Sequence, residues 1–394
     1  MTWRLGLVAG EPSGDLIGSR VLAGLKSADP QVQAEGIGGP HLQSAGQEIW
    51  HPMHSLSVFG YVDALKRLPT LVRTFNDVKR RWLDRPPAVF LGVDAPDFNL
   101  RLESRLKAAG IPTVHFVGPS IWAWRYERIH AIRQAVSHML VLFPFEEAIY
   151  RKENVAVTYV GHPLADAIAL VPDMAAARAR LGLDNNARVL AILPGSRSSE
   201  IRLMAPRFLQ AARRLQQYDP GLHCVVPMVN PERKAEFDAL ARLHPVDNLH
   251  VTLASADNPA GRPVAWDALE ACNVALVTSG TATLEAALFK RPMVISYVIS
   301  PLMRRIMAWR SGQQRPYLPW VGLPNVLAND FVVPELLQEE ASPENLANAL
   351  RVFLGDETLV AKIETRFDAM HRTLRCDTPA RAASAILKLA YGRI

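Results

Sequence analysis

Two loops in the second half of the sequence carry residue types that can bind a diphosphate. Residues 278–283, which read Thr-Ser-Gly-Thr-Ala-Thr, follow an apolar run and precede a helix-like segment. Small residues let the backbone approach a ligand closely, and the N–H groups at a helix N-terminus favour an anion. Residues 194–197, Pro-Gly-Ser-Arg, follow another apolar run, and the guanidinium of Arg197 can hold two phosphate oxygens at once.

Together these loops predict a nucleotide-diphosphate site, in which a carboxylate one turn into the helix accepts hydrogen bonds from ribose hydroxyls. An alternative is that Ser279 or Thr281 only caps the helix, with Glu285 completing a capping box. Arg197 alone could likewise belong to a surface turn. The presence of both loops in one half favours the nucleotide. The predicted binding residues are Gly195, Ser196, Arg197, Ser279, Gly280, Thr281 and Glu285.

A loop in the first half places two carboxylates just after an apolar run. Asp94 follows residues 88–93, where a carboxylate can act as a base that takes a proton from an attacking hydroxyl group. The alternative is that Asp94 only caps the next helix, and Asp97 is better explained as such an N-cap.

A second loop of the first half, residues 10–15, suits a polar acceptor. It follows the apolar run 5–9 and combines glycines with two acids and a hydroxyl group. The predicted acceptor-binding residues are Glu11, Ser13, Gly14 and Asp15. The alternative is that Ser13 or Asp15 caps the following helix.

Several other site classes lose support. The sequence has no G-x-x-x-x-G-K-[ST] motif and no G-x-G-x-x-G after a strand, which disfavours P-loop and dinucleotide sites. It has no D-x-D pair, so Arg197 and a helix N-terminus, rather than a metal ion, are expected to neutralise the departing diphosphate. We therefore expect no metal and no cofactor.

Composition indicates a globular protein of about two domains. The 394 residues are 49% hydrophobic and 21% charged. The net charge of +6 is too small to indicate nucleic acid, but it fits a phosphate-bearing substrate or an anionic membrane surface. Three scattered cysteines predict neither a disulfide framework nor a zinc site and are typical of the cytoplasm. No apolar run is long enough to span a bilayer, so we expect a protein that is soluble or lies on a membrane.

Three segments place large apolar side chains where a membrane or a lipid could be contacted, although ordinary core packing explains any one of them. Residues 301–310 would form a helix with one apolar face and flanking arginines. Residues 120–125 carry two tryptophans, and residues 58–62 are similar in character. The predicted contact residues are Trp122, Trp124, Met303, Ile306, Met307 and Trp309, while Phe59 is assigned to the acceptor site.

These loops alternate with buried strands and helices in a way that predicts two parallel α/β sheets. Strands are expected near 5–9, 88–93, 113–117, 136–143 and 157–160, and again near 189–193, 223–226, 273–277 and 293–297. His115 is interpreted as a core histidine of one strand, and His162 as a ligand contact or a hinge residue. We predict two Rossmann-like doubly wound domains facing a cleft, 1–170 and 171–355, followed by a helical segment, 356–394.

The loops also resemble a known family. Gly10-Glu11-Pro12-Ser13-Gly14-Asp15, Asp94-Ala95-Pro96-Asp97-Phe98-Asn99 and Ser120-Ile121-Trp122-Ala123-Trp124-Arg125 closely resemble lipid-A-disaccharide synthases. So do Val58-Phe59-Gly60, Leu193-Pro194-Gly195-Ser196-Arg197, the segment from Ser279 to Glu285, and Leu323-Pro324-Asn325. The matches occur in family order over most of the chain, although the segment from Arg310 to Trp320 is longer than the resemblance implies.

The resemblance implies a GT-B fold and an inverting sugar transfer. The donor would be UDP-2,3-diacylglucosamine and the acceptor 2,3-diacylglucosamine 1-phosphate, giving a β-1,6-linked lipid A disaccharide and UDP. Asp94 would be the base, Asn325 would join the UDP side, and residues 11–15 would lie on the acceptor side. The resemblance also implies homodimers and peripheral association with the cytoplasmic side of the inner membrane.

Two alternatives stay open. A UDP-sugar 2-epimerase shares the two-domain architecture but needs no lipid acceptor, so an enzyme incubated with donor alone would distinguish it. A non-catalytic nucleotide-sugar-binding protein would bind UDP tightly and turn nothing over.

Overall fold

The computed structural model describes residues 3–56, 61–253, 262–299 and 317–392, and for residues 61–67 it describes only the backbone. Several predicted residues lie outside these ranges, and so do residues 310–316 of the long segment noted above. They are Phe59 and the apolar residues Met303, Ile306, Met307 and Trp309.

Strands and helices alternate along the chain. The strands are β1 Trp3–Ala9, β2 Val32–Gly38, β3 Gln47–Pro52, β4 Val89–Val93, β5 Thr113–Phe116, β6 His138–Val141, β7 Val157–Tyr159, β8 Val189–Leu193, β9 His223–Met228, β10 Leu249–Leu253, β11 Val274–Thr278, β12 Met293–Tyr297 and β13 Glu335–Leu337. The helices are α1 Pro12–Ala28, α2 Pro40–Ser44, α3 Tyr61–Asp84, α4 Pro96–Ala108, α5 Ile129–Ala135, α6 Pro144–Lys152, α7 Pro163–Ala167, α8 Met174–Arg180, α9 Ser198–Gln216, α10 Pro231–Leu243, α11 Val264–Ala271, α12 Thr281–Leu288, α13 Leu323–Ala328, α14 Pro343–Gly355, α15 Glu357–Leu374 and α16 Thr378–Ala390.

The chain forms two compact units. Unit 1 comprises Met1–Asp166 and Leu374–Ile394, and unit 2 comprises Ala167–Thr373. This division differs from the ranges 1–170, 171–355 and 356–394 predicted above. The helical residues after 355 are shared between the two units, because the chain returns to unit 1 at residue 374.

Each unit contains one parallel sheet. Within the described ranges the order is β3-β2-β1-β4-β5-β6-β7 in unit 1 and β10-β9-β8-β11-β12-β13 in unit 2. The prediction of two doubly wound α/β units followed by helices is confirmed. Strands β4, β8 and β11 are buried along their whole length, as expected where helices cover both faces of a sheet. No helix in the described ranges is long and apolar enough to cross a bilayer.

The strand order changes direction at one place in each sheet. In unit 1, β1 pairs with both β2 and β4, and in unit 2, β8 pairs with both β9 and β11. Doubly wound sheets bind their ligands outside the carboxyl ends of the strands at such a switch point. Each of the four predicted loops follows one of these strands: 10–15 follows β1, 94–99 follows β4, 194–197 follows β8 and 279–283 follows β11.

The carboxylate of Asp166 holds the start of the returning chain in unit 1. Asp166 accepts hydrogen bonds from the backbone N–H groups of Cys376 (3.1 Å), Asp377 (3.0 Å) and Thr378 (2.7 Å) at the start of α16. The N–H of His162 also donates to the carbonyl oxygen of Leu374 at 2.9 Å. From this point α16 packs along α1.

Candidate active site

No side chain caps the N-terminus of α12, so its first backbone N–H groups are open to an anion. Gly280 occupies the N-cap position and supplies no side chain, and a Cβ at this position would meet no atom within 4 Å. The hydroxyl of Ser279 donates to the carbonyl oxygen of Val321 (3.2 Å), and that of Thr283 to the carbonyl oxygen of Gly280 (2.8 Å). The alternative that Ser279 or Thr281 caps the helix is therefore wrong.

Glu285 does not complete a capping box either. Its Oε1 atom accepts a hydrogen bond of 2.9 Å from the indole N–H of Trp266, which comes from α11. Burial raises the pKa of the Glu285 carboxyl group, and the indole hydrogen bond opposes this. One carboxylate oxygen is thus oriented by a neighbouring helix, and the residue lies one turn from the N-terminus of α12.

The loop after β8 folds around a carboxylate that belongs to the following helix, that of Glu200 on α9. The backbone N–H groups of Ser196 (3.1 Å) and Arg197 (3.2 Å) donate to Oε2 of Glu200 in the first turn of α9. Gly195 has a φ of +113°, and a Cβ there would lie 2.5 Å from the Cβ of Glu200, so only glycine fits. The Arg197 side chain is 79% exposed, and its guanidinium lies 3.6 Å from Glu200, where it can turn towards a ligand.

Asn325 lies on α13, and its side chain holds the segment that leads into β13. Its amide nitrogen donates to the carbonyl oxygen of Val333 (2.8 Å) and to Glu335 (2.9 Å), and its amide oxygen accepts from the N–H groups of Val332 and Val333. The residue is fully buried. This geometry gives Asn325 a role in shaping the segment between α13 and β13, and its predicted contact with the nucleotide stays a prediction.

In unit 1, Asp94 stands at the carboxyl end of β4 without capping the helix that follows. Asp94 and Ala95 both have positive φ angles, and Ala95, not Asp94, is the N-cap of α4. The backbone of Asp94 is fixed on two sides, because its N–H donates to Phe116 (2.8 Å) and its carbonyl oxygen accepts from the Asn99 amide (2.7 Å). The cap alternative is wrong for Asp94.

The cap alternative is also wrong for Asp97, which is 88% exposed and forms an ion pair of 2.5 Å with Arg128. The two carboxylates of this loop therefore differ in environment. Burial raises the pKa of the half-buried Asp94, while the N–H of Ala95 and the charge of His115 oppose the shift without cancelling it. A carboxylate with a raised pKa is a stronger base, which suits proton abstraction.

In the loop after β1, some of the predicted acceptor-binding residues are exposed and others are buried. Glu11 and Ser13 are exposed, whereas Gly14 and Asp15 are buried. Asp15 accepts hydrogen bonds from the N–H groups of Gly39 (2.7 Å), His41 (3.0 Å) and Leu42 (3.2 Å) and so holds the start of α2. It does not cap α1, whose N-cap is Glu11. Its carboxylate is taken up by backbone donors, so Glu11 and Ser13 are the members left at the surface.

The structure brings the loops after β1 and β4 together. A Cβ at Gly10 would lie 3.0 Å from the Cβ of Ala95, so the glycine allows the two loops to touch. The predicted acceptor loop and the predicted base therefore share one edge of the unit 1 sheet.

Trp122 and Trp124 are half-buried, which leaves part of each ring at the surface. The Trp122 ring packs edge-on against Phe145, with centroids 5.4 Å apart.

His162 is buried and stacks on Phe143, and its Nδ1 accepts a hydrogen bond from the N–H of Leu164 (3.1 Å). Burial lowers the pKa of His162 to about 4, so it is neutral at physiological pH.

Sequence reasoning missed Trp266, a partner of the site residue Glu285, and Glu103, a partner of the core histidine His115. Trp266 orients Glu285, and Glu103 binds His115. The only sequence signal for Glu103 is its spacing of four residues from Asn99, which puts both on one face of α4. Among the described residues no group of three or more His, Cys, Asp or Glu could hold a metal ion.

Solved structures share this fold at low sequence identity. A UDP-GlcNAc 2-epimerase from Neisseria meningitidis, bound to UDP-GlcNAc, is 11% identical with a TM-score of 0.61, covering 99% of this chain and 100% of its own. A glycosyltransferase from Rickettsia africae is 10% identical with a TM-score of 0.59, covering 99% of both chains. At such identities the likeness shows only the fold, and it confirms the GT-B type of two doubly wound units.

Curated relatives are far more similar. The lipid-A-disaccharide synthase of Bordetella petrii is 69% identical over 392 residues, and that of Bordetella pertussis is 67% identical, each covering 100% of both chains. The lipid-A-disaccharide synthase of Aromatoleum aromaticum is 50% identical over 98% of this chain and 96% of its own. Residues 5–386 match the family described as lipid-A-disaccharide synthetase. With matches of this length and identity, the chain belongs to the lipid-A-disaccharide synthetase family.

Proposed function

We propose that the chain joins UDP-2,3-diacylglucosamine to the 6-hydroxyl of 2,3-diacylglucosamine 1-phosphate with inversion at the anomeric carbon. The products are the β-1,6-linked lipid A disaccharide 1-phosphate and UDP. Family membership supports the overall reaction. The observation that carries the residue assignment is the Asp94 carboxylate, which follows a fully buried strand at the switch point of its sheet and does not cap the next helix.

In this proposal Asp94 is the general base. As the 6-hydroxyl oxygen of the acceptor forms its bond to the anomeric carbon, the hydroxyl proton passes to the Asp94 carboxylate. The bond between the anomeric carbon and the diphosphate oxygen breaks on the opposite face, and its electron pair leaves with UDP. The raised pKa of Asp94 supports this role, because a more basic carboxylate accepts the proton more readily.

The departing diphosphate would be stabilised in unit 2. The N-terminus of α12, with its glycine N-cap, offers backbone N–H groups and the positive end of the helix dipole. Arg197 would add a guanidinium after turning away from Glu200. Glu285, oriented by Trp266, would accept hydrogen bonds from the ribose. Such fixed donors lower the barrier because they are strongest where negative charge develops in the transition state.

The acceptor would lie against the loop after β1. Glu11 and Ser13 are exposed there and adjoin the loop of Asp94. Because both substrates carry acyl chains, we also propose that the enzyme works at the cytoplasmic face of the inner membrane, which the net charge of +6 would favour. Homodimer formation stays an expectation from the resemblance.

The test is mass spectrometry of the products formed from UDP-2,3-diacylglucosamine and 2,3-diacylglucosamine 1-phosphate. We expect a tetra-acylated disaccharide 1-phosphate together with UDP. A parallel reaction with donor alone should give no epimer. An epimer, or tight UDP binding without any disaccharide, would contradict the proposed reaction.

A further inference from the structure

A buried pair of titratable side chains lies beside the end of β4 and has no role in the mechanism above. Nδ1 of His115, on β5, and Oε1 of Glu103, on α4, are 2.8 Å apart. Both side chains are 0% exposed. A histidine and a glutamate are rarely enclosed so completely, because burial of charge costs free energy unless the charges are paired.

The strand register places this pair next to the strand that ends at Asp94. His115 is the register partner of Gly92 on β4, two residues before Asp94, and of Met139 on β6. A Cβ at Gly92 would lie 2.2 Å from Oε1 of Glu103. The glycine therefore makes the space that the carboxylate occupies between helix and sheet.

Side chains on one face of α4 form hydrogen bonds with both Asp94 and His115. Asn99 and Glu103 are four residues apart and so lie on the same side of the helix. The Asn99 amide holds the carbonyl oxygen of Asp94 at 2.7 Å, while Glu103 holds His115. The same helix face thereby fixes the backbone of the base and the imidazole beside it.

Among the described residues, each member of the pair keeps one buried polar atom that makes no hydrogen bond. Nε2 of His115 and Oε2 of Glu103 are buried and have no hydrogen-bond partner within the described ranges. Buried polar atoms normally find hydrogen-bond partners, and a functional role is one of the reasons for an unpaired one. An imidazole whose Nδ1 is bound to a carboxylate can carry a positive charge and present a second N–H.

We propose that His115 is a positioning residue for Asp94: held by Glu103 beside the end of β4, it keeps the Asp94 carboxyl group ionised and ready to accept the proton of the acceptor hydroxyl. This inference rests on the proposed role of Asp94 as the base. It adds that the base depends on a His–Glu pair supplied by a neighbouring strand and helix.

Of the titratable groups around Asp94, His115 is the one whose charge acts on its carboxyl group. The charge of His115 lowers the pKa of Asp94 against the effect of burial. Of the other acids nearby, Asp97 is exposed and paired with Arg128, and Glu11 is exposed to solvent. On β6 the register partner Met139 is uncharged.

A second buried histidine provides a matched control. His138, on β6, is the register partner of Val114 and so points to the opposite face of the sheet from His115. Its Nε2 lies 2.8 Å from the hydroxyl of Thr158, and its charged neighbour is Lys388 of α16. Changing it alters a buried strand histidine of the same unit without touching the pair.

The experiment measures the acidic limb of the kcat/KM profile, which reports the base in the free enzyme. In His115→Gln we expect the limb to move to higher pH by roughly 1 unit, because an opposite charge near a carboxylate lowers its pKa by 1–3 units. Glu103→Gln should move it in the same direction, because His115 then loses the carboxylate that holds it beside the end of β4. His138→Gln should leave the limb at the wild-type pH.

A destabilised variant can unfold in acid and move the limb for that reason alone, so the folded fraction is followed by circular dichroism at each pH and kcat/KM is calculated per folded enzyme. A limb at the wild-type pH in His115→Gln overturns the inference, and an equal shift in His138→Gln does so too. An unmoved limb in Glu103→Gln overturns the part assigned to Glu103. If Asp94→Asn keeps normal turnover, the base assignment itself fails, whereas loss of turnover in Asp94→Asn with an unmoved limb in His115→Gln defeats only this inference.

Discussion

Two carboxylates three residues apart occupy different environments in the loop after β4. Asp94 is half-buried with a raised pKa, while Asp97 is exposed and paired with Arg128. We expect Asp94→Asn to lower kcat by at least about 10²-fold, because a positioned base contributes that much or more. Asp97→Asn is the matched control and should keep kcat within a few fold. Disaccharide formation, followed by mass spectrometry, provides both rates, and equal effects of the two changes would contradict the assignment.

The pKa of Asp94 also predicts the pH dependence of the wild-type enzyme. The base works only when ionised, so kcat/KM should fall as the pH falls through the pKa of Asp94. Because burial raises that pKa above the ordinary aspartate value of 3.8, the acidic limb should lie above 3.8. A pH profile of kcat/KM checks this, and a limb at or below 3.8 would exclude Asp94 as the titrating base.

At the residue scale, the sequence predicted which side chains could do chemistry better than it predicted their hydrogen-bond partners. The position of Asp94 after an apolar run was enough to suggest a base. The structural roles of Asp15 and Asn325 could not be predicted from the sequence. Asp15 binds backbone donors 24 to 27 residues away, and Asn325 binds a segment that the sequence pattern does not define. Such side chains look like ligand contacts in sequence, since the same oxygen atoms serve either purpose.

At the scale of elements, the start of α6 carries a second carboxylate with a strongly altered environment. Glu146 is buried and accepts the N–H of Phe143 at 3.0 Å, and burial raises its pKa from 4.5 to about 7. A raised pKa in the folded state means that this group stabilises the fold below pH 4.5 and loses that contribution as the pH rises through about 7.

We therefore expect Glu146→Gln to gain stability relative to the wild type as the pH rises from 5 to 8, by on the order of 3 kcal/mol at most. The glutamine is neutral throughout, and its oxygen can still accept the N–H of Phe143. Urea unfolding at both pH values measures the change. A stability difference between variant and wild type that does not vary with pH would contradict the altered pKa.

The same scale shows which elements the sequence could predict. The central strands β1, β4, β8 and β11 were recognised because they are continuous apolar runs. The strands β2, β3, β10 and β13 were missed. Of these, β3, β10 and β13 lie at sheet edges, where burial is incomplete and polar residues such as those in Gln-Glu-Ile-Trp-His-Pro are tolerated.

At the scale of the whole molecule, Asp166 ties the returning chain to unit 1 through three backbone N–H groups. Asp166→Ala should lower the free energy of unfolding by about 1–2 kcal/mol, because those donors at the start of α16 lose their acceptor. Urea unfolding measures this, with Asp84→Ala, an exposed carboxylate at the end of α3, as the control. Equal stability of the two variants would contradict the role assigned to Asp166.

The return of the chain has a consequence for the order of biosynthesis. Unit 1 needs α16, which lies beyond residue 373, whereas unit 2 is one continuous stretch. A ribosome must therefore complete all of unit 2 before α16 emerges to cover α1. Domains usually finish folding in the order in which they are made. Here the half that is begun first is finished last, and until then the face of α1 that α16 covers stays open on the nascent chain.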